Sequence, residues 1–186
     1  MNPQALSRAR RLHAAMMNAA ISAVAIPLFA VLAACGGSSP ASPSSPTQPT
    51  RTGVAFELPS DGGQLVPIPQ PSSRVTVIDA FGPTCAPCRE KVPALLARRG
   101  EIEAAGGKLV LVAVLGDGES TEDAAKALAS WGATSPFLVD RGGVLLRQLG
   151  LRGLPGTYVI ERNGAVRWES TPTSTEDDVV AAALSR

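Results

Sequence analysis

The sequence predicts an α/β fold: a central mixed β-sheet flanked by helices, with an N-terminal β-hairpin and a helical insertion. Three observations carry this. Two nearly continuous apolar runs, Val75–Phe81 and Leu109–Leu115, bracket a helical pattern; buried parallel strands joined by a crossover have this form. Asn163-Gly164 stands between two strand-like segments, a strong hairpin signal that adds antiparallel pairing. A last helical stretch, Thr175–Leu184, opens with Glu176, Asp177 and Asp178, charges that suit the positive end of a helix.

The elements follow in order. Val54–Leu58 and Gln64–Ile68 flank Asp61-Gly62-Gly63 and read as the hairpin. After the first apolar run, Glu90–Ala105 reads as one helix with Val92, Leu95, Leu96 and Ile102 inward and Gly106-Gly107 as its stop. Ser120 and Asp123 resemble a capping box for a helix through Ser130, the insertion. Phe137–Val139 follows as a short strand and Val144–Leu149 as a short helix. Thr157–Glu161 and Ala165–Glu169 then form the strands around Asn163-Gly164.

The first 50 residues read differently. Residues 1–34 hold three of the chain's 17 basic residues (Arg8, Arg10, Arg11) and none of its 16 acidic ones, so the remainder carries a formal charge of −2. That remainder has no basic stripe of the kind nucleic acid requires. Ala14–Ala34 is almost wholly apolar, and a basic start, an apolar stretch and small residues make a secretory signal peptide. Its end, Leu32-Ala33-Ala34-Cys35, resembles the lipobox of bacterial lipoproteins. The resemblance implies cleavage before Cys35 and a lipid anchor on it; an uncleaved membrane-spanning helix is the alternative. Residues 35–50 continue with Pro40, Pro43, Pro46 and Pro49 at every third position, an extended linker. The folded domain is expected over residues 51–186.

With Cys35 assigned to lipid, Cys85 and Cys88 remain. Export favours disulfide chemistry, and so short a spacing points to local redox exchange rather than a structural staple. Zinc is the alternative, but it wants about four ligands. The chain's one histidine is His13, inside the presumed signal peptide. A mature domain without histidine excludes Ser-His-Asp and Cys-His catalysis and histidine-based metal sites. In Thr84-Cys85-Ala86-Pro87-Cys88 the first cysteine is placed at the start of the following helix, where the dipole favours a thiolate. Cys85 is then the attacking residue and Cys88 the resolving one. Pro87 suits an early helical position.

Residues 56–186 resemble the TlpA/ResA group of membrane-tethered thioredoxin-like proteins. Phe56-Glu57-Leu58-Pro59, Val77-Ile78-Asp79-Ala80-Phe81, Cys85-Ala86-Pro87-Cys88-Arg89 and Gly153-Leu154-Pro155-Gly156-Thr157 carry the likeness, and Pro93 stands where thioredoxins kink the helix. The resemblance implies a thioredoxin fold with a cis Pro155, which presents the Leu154 backbone to an extended substrate. It also implies a buried Asp79 acting as base for Cys88. An ordinary trans turn proline and a solvent-facing strand-end Asp79 are the alternatives. Thr84, Ala86, Pro87 and Leu154 would line the substrate site. Thr84 stands where most relatives carry Trp.

The implied activity is a protein-disulfide reductase with no cofactor beyond the Cys85–Cys88 pair. Its substrates would be exported proteins with disulfides, apocytochrome c among them. Electrons would come from a membrane thiol donor, and the chain would act as a periplasm-facing monomer anchored by lipid to the inner or outer membrane. Oxidase or isomerase activity, or a non-catalytic binding lipoprotein, stays open. A peroxiredoxin wants Thr three residues before its reactive cysteine; that position is Gly82.

Overall fold

Val75–Phe81 (β3) is buried at all seven positions and forms the middle strand around which the domain is built. A computed structural model describes residues 53–185. The expected signal peptide (1–34), Cys35 and the linker to residue 50 lie outside the described residues. Before β3 come β1 (Phe56–Pro59) and β2 (Leu65–Ile68); after it come α1 (Cys88–Ala97), α2 (Arg99–Ala104) and β4 (Gly107–Val114). Then follow α3 (Thr121–Ser130), β5 (Phe137–Asp140), α4 (Val144–Leu149), β6 (Gly156–Glu161), β7 (Val166–Glu169) and α5 (Glu176–Leu184).

The central sheet has the order β5-β4-β3-β6-β7. Strands β3, β4 and β5 are parallel, whereas β6 pairs antiparallel with β3 and β7 with β6. The insertion is therefore more than a helix: α3 crosses over to β5, which extends the parallel sheet at its edge. Side chains alternate across a strand, so β3 serves two cores. Ile78 and Ala80 face the layer that holds Leu58 and Ile68 of the hairpin with Leu145 and Leu149 of α4. Val75 and Val77 pack with Leu95, Ile102, Val179 and Val180 from α1, α2 and α5, and Phe81 with Cys88, Val92 and Leu128. Asp79 falls on this second side.

The β1–β2 hairpin forms its own antiparallel pair, Phe56 opposite Ile68. It closes the outer edge of β5 through a bridge between Ser60 and Leu138 and an Asp61 N–H to Phe137 carbonyl bond of 2.9 Å. At its start, the Val54 N–H donates to the Gly164 carbonyl at 3.0 Å. Gly164 has φ +84°, and a β-carbon there would lie 2.5 Å from the Val54 carbonyl oxygen, so both its conformation and the close approach require glycine. This contact lies at the Val75 end of the sheet, opposite the end from which β3 leads to Cys85.

Two local devices fix the helices. Ser120 and Asp123 form a reciprocal capping box on α3, as do Thr175 and Asp178 on α5. Helix α4 begins at Gly143, which has no side chain to cap it; the buried Asp140 carboxylate instead accepts from the N–H groups of Gly142, Val144 and Leu145 at 2.8–3.1 Å. The helix expected over Glu90–Ala105 is divided. Its first helical residue is Cys88, and at Arg98 (φ −91°, ψ 1°) it breaks into α1 and α2. Arg98 bonds both Glu101 and, across to α5, Asp177, so the break is held by an ion-pair cluster.

Candidate active site

Beyond β3 the chain turns through Gly82–Pro87 before α1. The Cys85 N–H donates to Gly82 O at 3.1 Å, Cys88 N–H to Cys85 O at 3.2 Å and Arg89 N–H to Ala86 O at 3.2 Å. Cys85 thus lies one turn ahead of α1, not at its first residue, while Pro87 is the N-cap with helical φ −68° and ψ −21°. Cys85 and Cys88 are joined by a disulfide, with α-carbons 5.3 Å apart. Cys88 is fully buried against Phe81 and Val92. Cys85 keeps part of its surface open, and Thr84, Ala86 and Pro87 are exposed around it. Only the Cys85 sulfur is placed to meet an incoming protein.

Asp79 is completely buried, which removes the solvent-facing alternative. The β3–β6 register sets Asp79 opposite Thr157, whose hydroxyl donates to Oδ1 at 2.7 Å. Oδ2 has no hydrogen-bond partner among the described residues. Burial in an apolar layer penalises the charged form and pushes the Asp79 carboxyl up to about 6. The Thr157 bond and the Lys91 charge pull it back, and Glu176 adds to the rise. A carboxyl near 6 can take and return a proton close to neutral pH.

Two residues before Thr157, the Leu154–Pro155 peptide is cis; Ile68–Pro69 is a second cis bond, which the sequence reading did not single out. Leu154 and Pro155 are half-buried, and Leu154 packs against the apolar cluster that contains Cys85 and Cys88. Space there is tight. A β-carbon at Gly82 would sit 2.9 Å from Leu154 Cδ1, so the position three before Cys85 has no room for a threonine while Leu154 keeps its seat. Trp131 lies in the apolar layer, stacking edge-on against Phe81 with 5.9 Å between centroids. Trp168 packs into the core beside α5.

Two hollows flank this centre and share Pro87 and Leu154. One, of about 970 Å³, runs between α1 and the cis-proline loop past Lys91, Arg152 and Glu176. The other, of about 600 Å³, opens on Cys85 and is closed on its far side by residues 116–119. Sequence reasoning had found Cys85, Cys88, Asp79, Leu154 and Pro155, which the fold gathers at one end of the sheet. It missed Thr157, whose hydroxyl reads as an ordinary strand residue, and Glu119, which bonds Thr84 at 3.2 Å. No group of three or more His, Cys, Asp or Glu side chains that could hold a metal occurs among the described residues.

Comparison with known proteins agrees with this geometry. The AhpC/TSA family profile matches residues 50–169. The thiol-disulfide oxidoreductase ResA of Geobacillus thermodenitrificans is 28% identical over 102 residues, 55% of this chain and 57% of that protein. The chain thus matches little more than half the length of that relative, and the ResA of Geobacillus kaustophilus gives the same figures. Among solved structures, a thiol:disulfide interchange protein DsbE from Chlorobium tepidum superposes with a TM-score of 0.60 at 27% identity, covering 72% of this chain and 96% of that one. StoA from Bacillus subtilis shares the fold with a TM-score of 0.56 at 17% identity, over 69% of this chain and 95% of that one.

Proposed function

Since the chain belongs to the AhpC/TSA family, and within it resembles the TlpA/ResA-like proteins of thioredoxin fold, we propose that it is a thiol–disulfide oxidoreductase acting as a reductase on exported proteins. One observation carries the oxidoreductase reading: a disulfide with one reachable sulfur, Cys85, which opens on a hollow, and one sealed sulfur, Cys88; the reductase direction rests on the resemblance to the TlpA/ResA group.

The reaction begins from the dithiol. The Cys85 thiolate attacks one sulfur of a substrate disulfide, forming a mixed disulfide and releasing the first substrate thiolate, which takes a proton from water. Asp79, on the same side of β3 as Cys88, accepts the Cys88 proton. The Cys88 thiolate then attacks Cys85 Sγ, and the second substrate thiolate leaves. Two electrons have passed to the substrate and the Cys85–Cys88 disulfide of the structure is restored. The backbone at Leu154, beside cis Pro155, would align an extended substrate segment meanwhile. A membrane dithiol donor supplies the next pair of electrons.

Residues 1–34 act in this proposal as signal peptide, Cys35 as the lipidated anchor and residues 35–50 as the linker. The active centre would then face the periplasm, where apocytochromes c with paired cysteines are among the candidate substrates. The deciding measurement is the reduction potential of the Cys85–Cys88 pair, equilibrated against a thiol redox buffer. A value near roughly −270 mV, the thioredoxin end of the range, is expected. A value near roughly −120 mV would make the protein an oxidase and overturn the reductase reading.

A further inference from the structure

We infer that Glu119 selects among substrates, favouring disulfides in which a basic residue adjoins the cysteine that Cys85 engages. The inference rests on the oxidoreductase reading and concerns which disulfides that site accepts.

The hollow in front of Cys85 is walled on one side by Thr84 and Leu154 and on the other by the loop after β4. Its ionisable lining residues, apart from the disulfide, are Asp117 and Glu119; no lysine or arginine lines it. The two acids differ in how they are held. Asp117 is exposed. Glu119 is half-buried, and its carboxylate is fixed at both oxygens: Oε2 accepts from the Gly116 N–H at 2.8 Å, and Oε1 from the Thr84 hydroxyl at 3.2 Å. Both donors are neutral. The Arg141 guanidinium bonds the Glu119 backbone carbonyl at 3.0 Å and the Thr121 hydroxyl at 3.4 Å, and no ion pair involves the Glu119 carboxylate among the described residues. Lys126 lines the neighbouring hollow that Thr84 and Glu119 share, but its ammonium pairs with Glu122 at 2.8 Å. A carboxylate with no ion pair of its own beside the reactive sulfur gives an incoming chain a fixed negative field, which steers and ranks partners by charge.

The hollow on the other side of Leu154–Pro155 does not duplicate this. It mixes Lys91 and Arg152 with Glu90 and Glu176 and has no single sign. Charge selection therefore belongs to the Cys85 side, within a residue or so of the substrate cysteine. Thr84 acquires a role here: its hydroxyl ties the redox turn to the acidic loop.

The test uses the full chain in detergent, pre-reduced and freed of excess thiol. It is mixed with peptide dimers joined by one disulfide and carrying Lys, Gln or Glu beside the cysteine. Single-turnover rates are read by mass spectrometry. The Lys peptide should react about three- to fivefold faster than the Gln peptide, the size expected of one partly exposed ion pair, and the Glu peptide more slowly still. Glu119→Gln should bring the three rates together, and Thr84→Val should narrow their spread. In the unmodified protein 0.5 M salt should narrow the preference, since ions at that strength weaken a partly exposed pair and remove the longer-range field; this arm stands even if a variant folds poorly. Equal rates for the three peptides, or a preference that survives both Glu119→Gln and salt, would overturn the assignment. Failure to reduce any of the peptides would instead remove the oxidoreductase reading on which it rests.

Discussion

Asp79 binds its proton more tightly in the folded protein than in the unfolded chain, because burial favours the neutral acid. The consequence for stability has a definite sign. Below the ordinary value of 3.8 both states are protonated and nothing is lost; between 3.8 and about 6 the unfolded chain ionises first; above about 6 the fold bears the whole loss, roughly 3 kcal/mol. Asp79→Asn keeps an acceptor for Thr157 and cannot ionise. It should melt several degrees above the parent at pH 8, the gap closing as pH falls to 3.8 and below, as thermal denaturation across pH will show. The same variant loses the base for Cys88. Its turnover of a protein disulfide should fall by roughly 10²-fold, the scale of one general base, with mixed disulfide accumulating on a non-reducing gel. At this scale the sequence was legible where a residue interrupts its surroundings: a carboxylate in an apolar strand, a Cys-x-x-Cys, a proline before a strand. Thr157 and Glu119 interrupt nothing. Their importance comes from partners 78 and 35 positions away, a proximity that only the β3–β6 register and the β4–α3 loop create.

Elements show how far local pattern carries. The nearly continuous apolar run of β3 marked both its ends, and the Ser120–Asp123 pair marked the start of α3, because each signal is contained within one stretch of chain. The division of α1 from α2 was hidden. Arg98 is a good helix former, and what holds the break there includes Asp177, contributed by α5. Pattern likewise marked α3 as an insertion without showing that β5 joins the sheet edge, since strand order is a property of pairing. Two substitutions test these elements. Ser120→Ala removes the hydroxyl that accepts from the Asp123 N–H at 3.1 Å and should cost about 1 kcal/mol, read as a lower denaturation midpoint. Gly82→Thr sets a β-carbon against Leu154, 2.9 Å from its Cδ1 in the present geometry. Displacing Leu154 should raise KM for a protein disulfide severalfold; an unchanged KM would show that Leu154 does not seat the substrate.

For the molecule as a whole, the hairpin is the part whose loss should matter most. It places Leu58 and Ile68, 2% and 1% exposed, in the core on one side of the sheet, and it covers the outer edge of β5, a strand that would otherwise offer free backbone groups to other molecules. Leu58→Ala should cost about 2–5 kcal/mol by leaving a cavity, measured by chemical denaturation. A chain lacking residues 53–70 should go further and associate, visible as high-mass species by light scattering; a monodisperse product would mean that the central sheet sustains itself.

The bond from Val54 to Gly164 has a practical corollary. It pins the start of the domain at the Val75 end of β3, about 20 Å along the strand from the end that leads to Cys85. Residue 53 is thus a natural handle. A bead, a chip or a fluorophore coupled there would take hold of the end of the sheet opposite the reactive sulfur, and an immobilised molecule would still turn Cys85 toward the solution. The same chemistry at Ser185 would be a poorer choice, since Arg74 and Arg167 already grip its carbonyl.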